Sequence, residues 1–241
     1  MKEIYSFTIK KNTEIEVKEN TEDGVLIKKK KAKVPVKVIL KSPSRFEKEL
    51  AYSFEATEWS KAVASGLLTK QMLARYYSDN GGVLSKEDLK YSNELIEKYN
   101  AKILEYNKAK TDSLSEEKLE EFKNEISDLY SEIQRIDNVR EELFKNSAET
   151  RSKEKTVVWL VLYLTYIEEN GKAIPFFGEG DYESKLQKLY DFSELEDKFI
   201  NSVIEKASLY ISFWYHGRLN DREDFDFLNK ELEKTSDESK G

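Results

Sequence analysis

The stretch Thr156–Gly171, TVVWLVLYLTYIEENG, decides how this chain is built. From Val157 to Leu164 it is apolar on nearly every side. A segment with no polar face has to be buried. The run of eight residues falls far short of the roughly 20 that span a bilayer. It is therefore expected as a buried helix inside a bundle, stopped by Gly171, and everything else in the chain has to pack around it.

Upstream lie two helices of another kind. Leu89, Ile96 and Ile103 recur every seven residues, as do Ser92, Tyr99 and Tyr106. After a turn at KTDSLSEE the next helix gives Leu119, Ile126 and Ile133 at one heptad position. Phe122, Leu129, Ile136 and Leu143 occupy the other. Nearly all other positions are polar, which is the narrow seam of a coiled coil. Two such helices joined by a short turn make an antiparallel hairpin over 85–145. Such a hairpin adds little to a globular body but gives it reach. Tyr99 and Tyr106, apolar rings with polar hydroxyls, are candidate partner-binding residues on it.

Downstream, AIPFFGEGDYES reads as a loop. Asp181 or Ser184 caps a short helix, and Ser193 with Glu196 caps the next. That helix carries Leu195, Phe199, Val203, Ala207, Tyr210, Ile211 and Trp214, and stops at Gly217. A last helix is expected over Asp221–Glu233, leaving 234–241 as a polar, disordered tail.

The N-terminal 40 residues have the period of strands. Tyr5, Phe7 and Ile9 alternate with Ser6 and Thr8; Val34, Val36, Val38 and Leu40 share a face. NTEDG supplies a turn, and Pro35 suggests an edge. Three or four antiparallel strands are expected over 1–43. Ser44 and Glu47 then form a capping box for a helix from about Arg45 to Ser65. Gly66 stops it, Thr69 caps a second helix, and Gly81-Gly82 ends that one; residues 44–84 thus link sheet to hairpin. The fold class is α+β, mainly α: a small N-terminal antiparallel sheet, a helical body over 146–233 and a projecting antiparallel coiled coil.

Charge is unevenly placed. The chain carries −7 overall, but residues 1–45 carry +6 and the remainder −13. Lys28, Lys29, Lys30 and Lys31, with Lys33 and Lys37, are candidates for docking on an acidic partner. Lysine also guards exposed strand edges. Nucleic acid is the rival, yet no aromatic for base stacking lies between Thr8 and Ser42.

Little in the sequence selects a reaction. There is no cysteine, which excludes disulfides, thiolate catalysis and Cys-ligated metals. One histidine, His216, excludes sites that need two. It sits before Gly217, where a helix carboxyl end favours a cation. Gly81-Gly82 follows a helix instead of a strand and lacks the lysine of a phosphate loop. Paired acids such as Glu168-Glu169 are expected by chance among 47. No cofactor, metal or catalytic residue is expected. MKEIYSFTIKKNTE has no apolar core of a secretory leader.

The order strands, KSPSR, helix, GLLTKQML, helix, NGG over Val38–Gly82 resembles small virion or assembly proteins of tailed bacteriophages. The resemblance rests on small and apolar positions around Gly66-Leu67-Leu68-Thr69 and brings no catalytic residue. It implies a non-enzymatic structural or assembly component, located in the virion or host cytoplasm. Such a component works through protein partners or as a homo-oligomer, without nucleic acid or membrane. The alternative is an adaptor that binds nucleic acid through its basic N-terminal region.

Overall fold

A computed structural model describes residues 2–21, 24–79, 85–112 and 115–238, with backbone alone over 14–31, at 86 and 231, and over 233–238. The elements run β1 (Glu3–Thr21), β2 (Gly24–Lys41), α1 (Arg45–Ala64), α2 (Lys70–Asp79), α3 (Lys86–Thr111) and α4 (Glu116–Phe144). Then come α5 (Ala148–Leu164), β3 (Thr165–Glu169), β4 (Lys172–Pro175), α6 (Tyr182–Glu194), α7 (Lys198–Tyr215) and α8 (Arg222–Glu238). The fold is α+β and mainly α. The chain divides into two compact units: Met1–Glu55 with Glu154–Gly241, and Ala56–Lys153.

The first unit is built on an antiparallel sheet in the order β1-β2-β3-β4. Residues 1–43 supply two long strands, not three or four. The other two follow α5: β3 is the end of the Thr156–Gly171 stretch, and β4 comes directly after it. Helix α5 ends at Leu164, and Thr165, Ile167 and Tyr166 then pair with Leu40, Val38 and Ile39. The physical cause is local. Thr-Tyr-Ile are β-branched or aromatic, and Asn170-Gly171 makes a two-residue hairpin turn with φ of 51° and 75°. Gly171 is thus a hairpin glycine and not a helix stop, and 146–233 is not wholly helical.

One sheet face carries Tyr5, Phe7, Val38 and Leu40, all buried. Helices α7 and α8 cover it with Val203, Ala207, Tyr210, Ile211 and Phe225. Tyr5 stacks on Phe225 at 4.8 Å, and its hydroxyl donates to Asp226 Oδ1 at 2.9 Å. Helix α7 starts one turn later than the Ser193–Glu196 reading placed it. Asp197 accepts from the Phe199 and Ile200 amides, while Ser193 lies inside α6. Helix α8 continues to Glu238, past the expected start of the tail.

The second unit holds the antiparallel pair α3 and α4. Ser85 and Asp88 form the capping box of α3. Arg140 Nη1 donates to Ser92 Oγ at 3.2 Å, the Tyr99 and Tyr130 rings are 6.1 Å apart, and Lys102 reaches Glu125 at 2.8 Å. On α4 every residue of the expected seam is half-buried, together with Glu132, Arg140 and Phe144. On α3 one heptad position is as expected, with Ser92, Tyr99 and Tyr106. The other is Leu95, Lys102 and Ala109, one residue off Leu89 and Ile96, while Ile103 is half-buried beside Lys102. Leu89 and Ile96 are 46 % and 42 % exposed, whereas Leu95 is 6 % exposed. Lys102 takes a seam position. Its stem lies along the pair, its ammonium sits 5.3 Å from the Phe122 ring centroid, and Glu105 and Glu125 satisfy the charge.

The joint between α1 and α2 follows the expected glycine logic. Gly66 has φ of 95°, where a side chain would be strained. Thr69 Oγ1 caps α2 by accepting from the Met72 amide. Gly81-Gly82 lies outside the described residues.

Candidate functional site: interaction surfaces

Three surfaces follow from this architecture. The first is the β1–β2 ribbon, whose pairing runs from Glu3 opposite Lys41 to Thr21 opposite Gly24. Lys28, Lys29, Lys30 and Lys31 lie on β2 opposite Val17, Glu16, Ile15 and Glu14; their side chains lie outside the described residues. Residues 14–31 hold five acids and five lysines, so this half of the ribbon has no net charge. Opposite charges at facing positions favour this register.

The positive excess therefore sits nearer the ribbon's base. Residues 8–13 and 32–37 carry Lys10, Lys11, Lys33 and Lys37 and no acid. Strand alternation sorts them. Lys11 shares the core side, with its Nζ 5.2 Å from the Phe199 ring centroid. Lys10, Lys33 and Lys37 share the other face, since Lys10 pairs with Pro35, Asn12 with Lys33 and Thr8 with Lys37. All three are exposed, and none has an acidic partner among the described residues. The lysine run drew the sequence reading toward 28–31; the signal for the outer face is the spacing of Lys33 and Lys37 around Pro35.

The second surface is the hairpin. Tyr99 and Tyr106 are half-buried within the α3–α4 pair, so each offers a partner only part of its ring. Hydrogen bonds to Glu125 and Glu105 raise the Lys102 ammonium above its ordinary pKa. On α4, Glu117, Glu121 and Asp128 are exposed at spacings of four and seven, which puts them on one face. Their neighbours Glu120, Glu125 and Glu132 are tied to Lys123, Lys102 and Arg135. Glu117, Glu121 and Asp128 have no ion-pair partner among the described residues.

The third surface is apolar and belongs to the first unit. Phe46, Leu50 and Phe54 recur every four residues on α1 and, with Trp159 and Tyr163 of α5, line an open groove of about 630 Å³. Phe46 is 71 % exposed. Trp159 stacks on Tyr163 at 4.3 Å. Beneath, buried Lys185 donates to the Gly178 carbonyl and lies 5.1 Å from the Tyr163 ring centroid. Burial lowers the Lys185 pKa. Because that amine is satisfied by a carbonyl and a ring face, it is a tie between α6 and α5.

Lys41 and Glu47 close one rim of the groove at 2.7 Å. Burial pushes the Glu47 carboxyl up, but hydrogen bonds from Lys41 and Ser44 outweigh it and hold it below its ordinary value. The bond to Glu47 raises Lys41. Glu47 therefore adds stability above its unfolded pKa, lost as pH falls through the lowered folded value. Lys41 adds stability below its unfolded pKa, lost as pH rises through the raised one. The pair supports the fold between about pH 5 and 10. Glu47→Gln is expected to cost about 1 kcal/mol at neutral pH and much less at pH 3. Urea midpoints across that range check it, and an equal loss at both ends would show that the pair contributes nothing.

Among the described residues, chemistry-bearing side chains are not gathered. His216 Nδ1–H donates to the Ser212 carbonyl at 2.7 Å, closing α7. Among the described residues no group of three or more His, Asp or Glu is placed to hold a metal ion, and no helix is long and apolar enough to cross a membrane. No family model matches the chain, and no curated protein or solved structure matches it.

Proposed function

We propose that this chain is a non-enzymatic structural or assembly component of a multi-protein complex, of the kind that builds a bacteriophage particle. It acts through protein–protein contacts. The observation that carries this is the apolar side chains held in water. Phe46 and Tyr52 on α1 are 71 % and 63 % exposed, and Phe46 and Leu50 border a groove already lined by rings. Contiguous apolar surface with a charged rim is the make-up of a protein-binding face. The bacteriophage setting rests on the resemblance over Val38–Gly82.

The test is made on the assemblies produced by the genome that encodes the chain. The chain is expected to co-sediment with particles or their precursors at fixed stoichiometry, and deletion of its gene is expected to leave incomplete assemblies. Complete assemblies formed without it, and lacking it in the intact case, would overturn the reading. One observation favours a second reading. Lys10, Lys33 and Lys37 form an unpaired basic face, which a phosphate backbone would also fit. Binding to duplex DNA that weakens steeply with salt, by a slope of about −0.9 per phosphate contact, would support that adaptor role.

A further inference from the structure

We propose that one partner of this chain is a second copy of itself. The outer face of the ribbon in one copy, Lys10, Lys33 and Lys37, seats on the outer face of α4 in the next, Glu117, Glu121 and Asp128. This deepens the assembly reading above by naming a partner for it.

Three observations lead there. The two faces carry opposite charge, and neither is neutralised within its own chain among the described residues. Glu120, Glu125, Asp137 and Glu142 of α4 are engaged in ion pairs, and Glu117, Glu121 and Asp128 are the uncommitted acids that share one face of the helix. Their dimensions also match. Lys33 and Lys37 are four residues apart on a strand, about 13 Å. Glu117 and Asp128 are eleven apart on a helix, about 16 Å, with Glu121 between them. A strand face and a helix face of similar length, carrying three charges each, can lie along one another.

Pro35 sets the mode of contact. It lies in the middle of the basic face, is exposed, and has no amide hydrogen to give a new strand. The ribbon is therefore suited to contact through its face, and less to extension of its ladder. Nucleic acid is the poorer occupant, because the remaining 196 residues carry −13 and repel a polyanion. In a copy of the same chain that acidic charge attracts the ribbon. The two faces differ, so the contact is heterologous: each copy keeps one of each face open, and association continues until a ring closes or a filament grows. Exposed charges confer orientation and specificity more than affinity, so the association is weak and dependent on salt.

The experiment uses the full chain and two triple charge reversals. One variant is K10E/K33E/K37E, and the other is E117K/E121K/D128K. All six residues are exposed and unpaired, so both variants are expected to fold; circular dichroism verifies this. Sedimentation is run at about 0.02 M and 0.5 M salt, spanning weak and strong screening. The unaltered chain is expected to gain average mass with concentration at low salt and to return to monomer at high salt. Each variant alone is expected to stay monomeric, because it sets like charges face to face. An equimolar mixture of the two is expected to regain association, since each now offers the face the other lacks.

A chain that stays monomeric at every concentration overturns the proposal, as does association that persists in 0.5 M salt or survives the ribbon reversal. A mixture that stays monomeric overturns the pairing of these two faces. A monomeric chain that binds duplex DNA, and loses it on ribbon reversal, assigns the face to nucleic acid. If the chain is monomeric yet incorporated into particles, the self-contact fails while the assembly reading stands.

Discussion

Replacing Tyr210 with Ala is expected to lower unfolding free energy by about 4 kcal/mol, in the middle of the range for a buried aromatic. Tyr210 is fully buried. Its ring stands edge-on to Tyr5 at 5.3 Å, to Phe7 at 5.2 Å and to Phe225 at 6.0 Å. Its hydroxyl donates to Asn229 Oδ1 at 2.7 Å. The truncation thus opens a cavity where β1, α7 and α8 meet, and none of the surrounding rings can rotate to fill it without losing its own contacts. Tyr210→Phe keeps the ring and removes only the hydroxyl. It is expected to cost about 1 kcal/mol, since Asn229 keeps its bond from Lys206 Nζ. Urea unfolding followed by tryptophan fluorescence measures both. A loss below 1 kcal/mol for Tyr210→Ala would mean that this aromatic cluster is not the core of the first unit.

Leu95→Asp is expected to act on the other unit, with a cost of 3 kcal/mol or more. Leu95 is 6 % exposed in the α3 seam, and an isolated carboxylate there loses its water without gaining a partner. Amide hydrogen exchange should show protection lost over α3 and α4 and retained over Val203–Ile211. The matching change Ile96→Asp, at a residue 42 % exposed, is expected to cost less than 1 kcal/mol. This pair of variants decides the rotation of the helix. Reversed costs would restore the seam of Leu89, Ile96 and Ile103.

That contrast also shows what a sequence reveals and what it conceals. Alternation in Tyr5-Ser6-Phe7 and in Val36-Lys37-Val38 was enough to place the two long strands and their buried face. Capping chemistry placed the starts of α1, α2, α3 and α6, because Ser44, Thr69, Ser85 and Asp181 each satisfy a nearby amide. The α4 seam was legible because its apolar residues are large and its remaining face is charged. On α3 the same reading favoured Ile96 over Leu95 by size of pattern alone. It passed over Lys102, whose place in the seam depends on Glu125 and Phe122 of the opposing helix. Strand β3 was hidden because Val157–Leu164 is equally apolar as helix or strand, and its hydropathy runs on into Thr165-Tyr166-Ile167. The Asn170-Gly171 turn was the available sign. The surface was harder still. A run of four lysines is conspicuous in a linear reading, but its net charge depends on the acids that antiparallel pairing sets opposite, and only the register supplies those.

The placement of β3 has a consequence for how the chain is made. Val38–Leu40 leaves the ribosome early, but its inner neighbour, Thr165–Ile167, follows roughly 125 residues later. At 5–20 residues per second that is a delay of about 6–25 s. Throughout it the whole of Ala56–Lys153, a compact unit of the finished fold, emerges. The nascent ribbon meanwhile presents an apolar ladder edge at Val38-Ile39-Leu40 with its native partner still unsynthesised. Loop closure over that distance costs little more than over half of it, since the entropy grows only with the logarithm of length. Exposure time, more than closure entropy, is then the hazard. An early-folding Ala56–Lys153 segment would shorten the effective tether between the two pairing strands before the second one arrives.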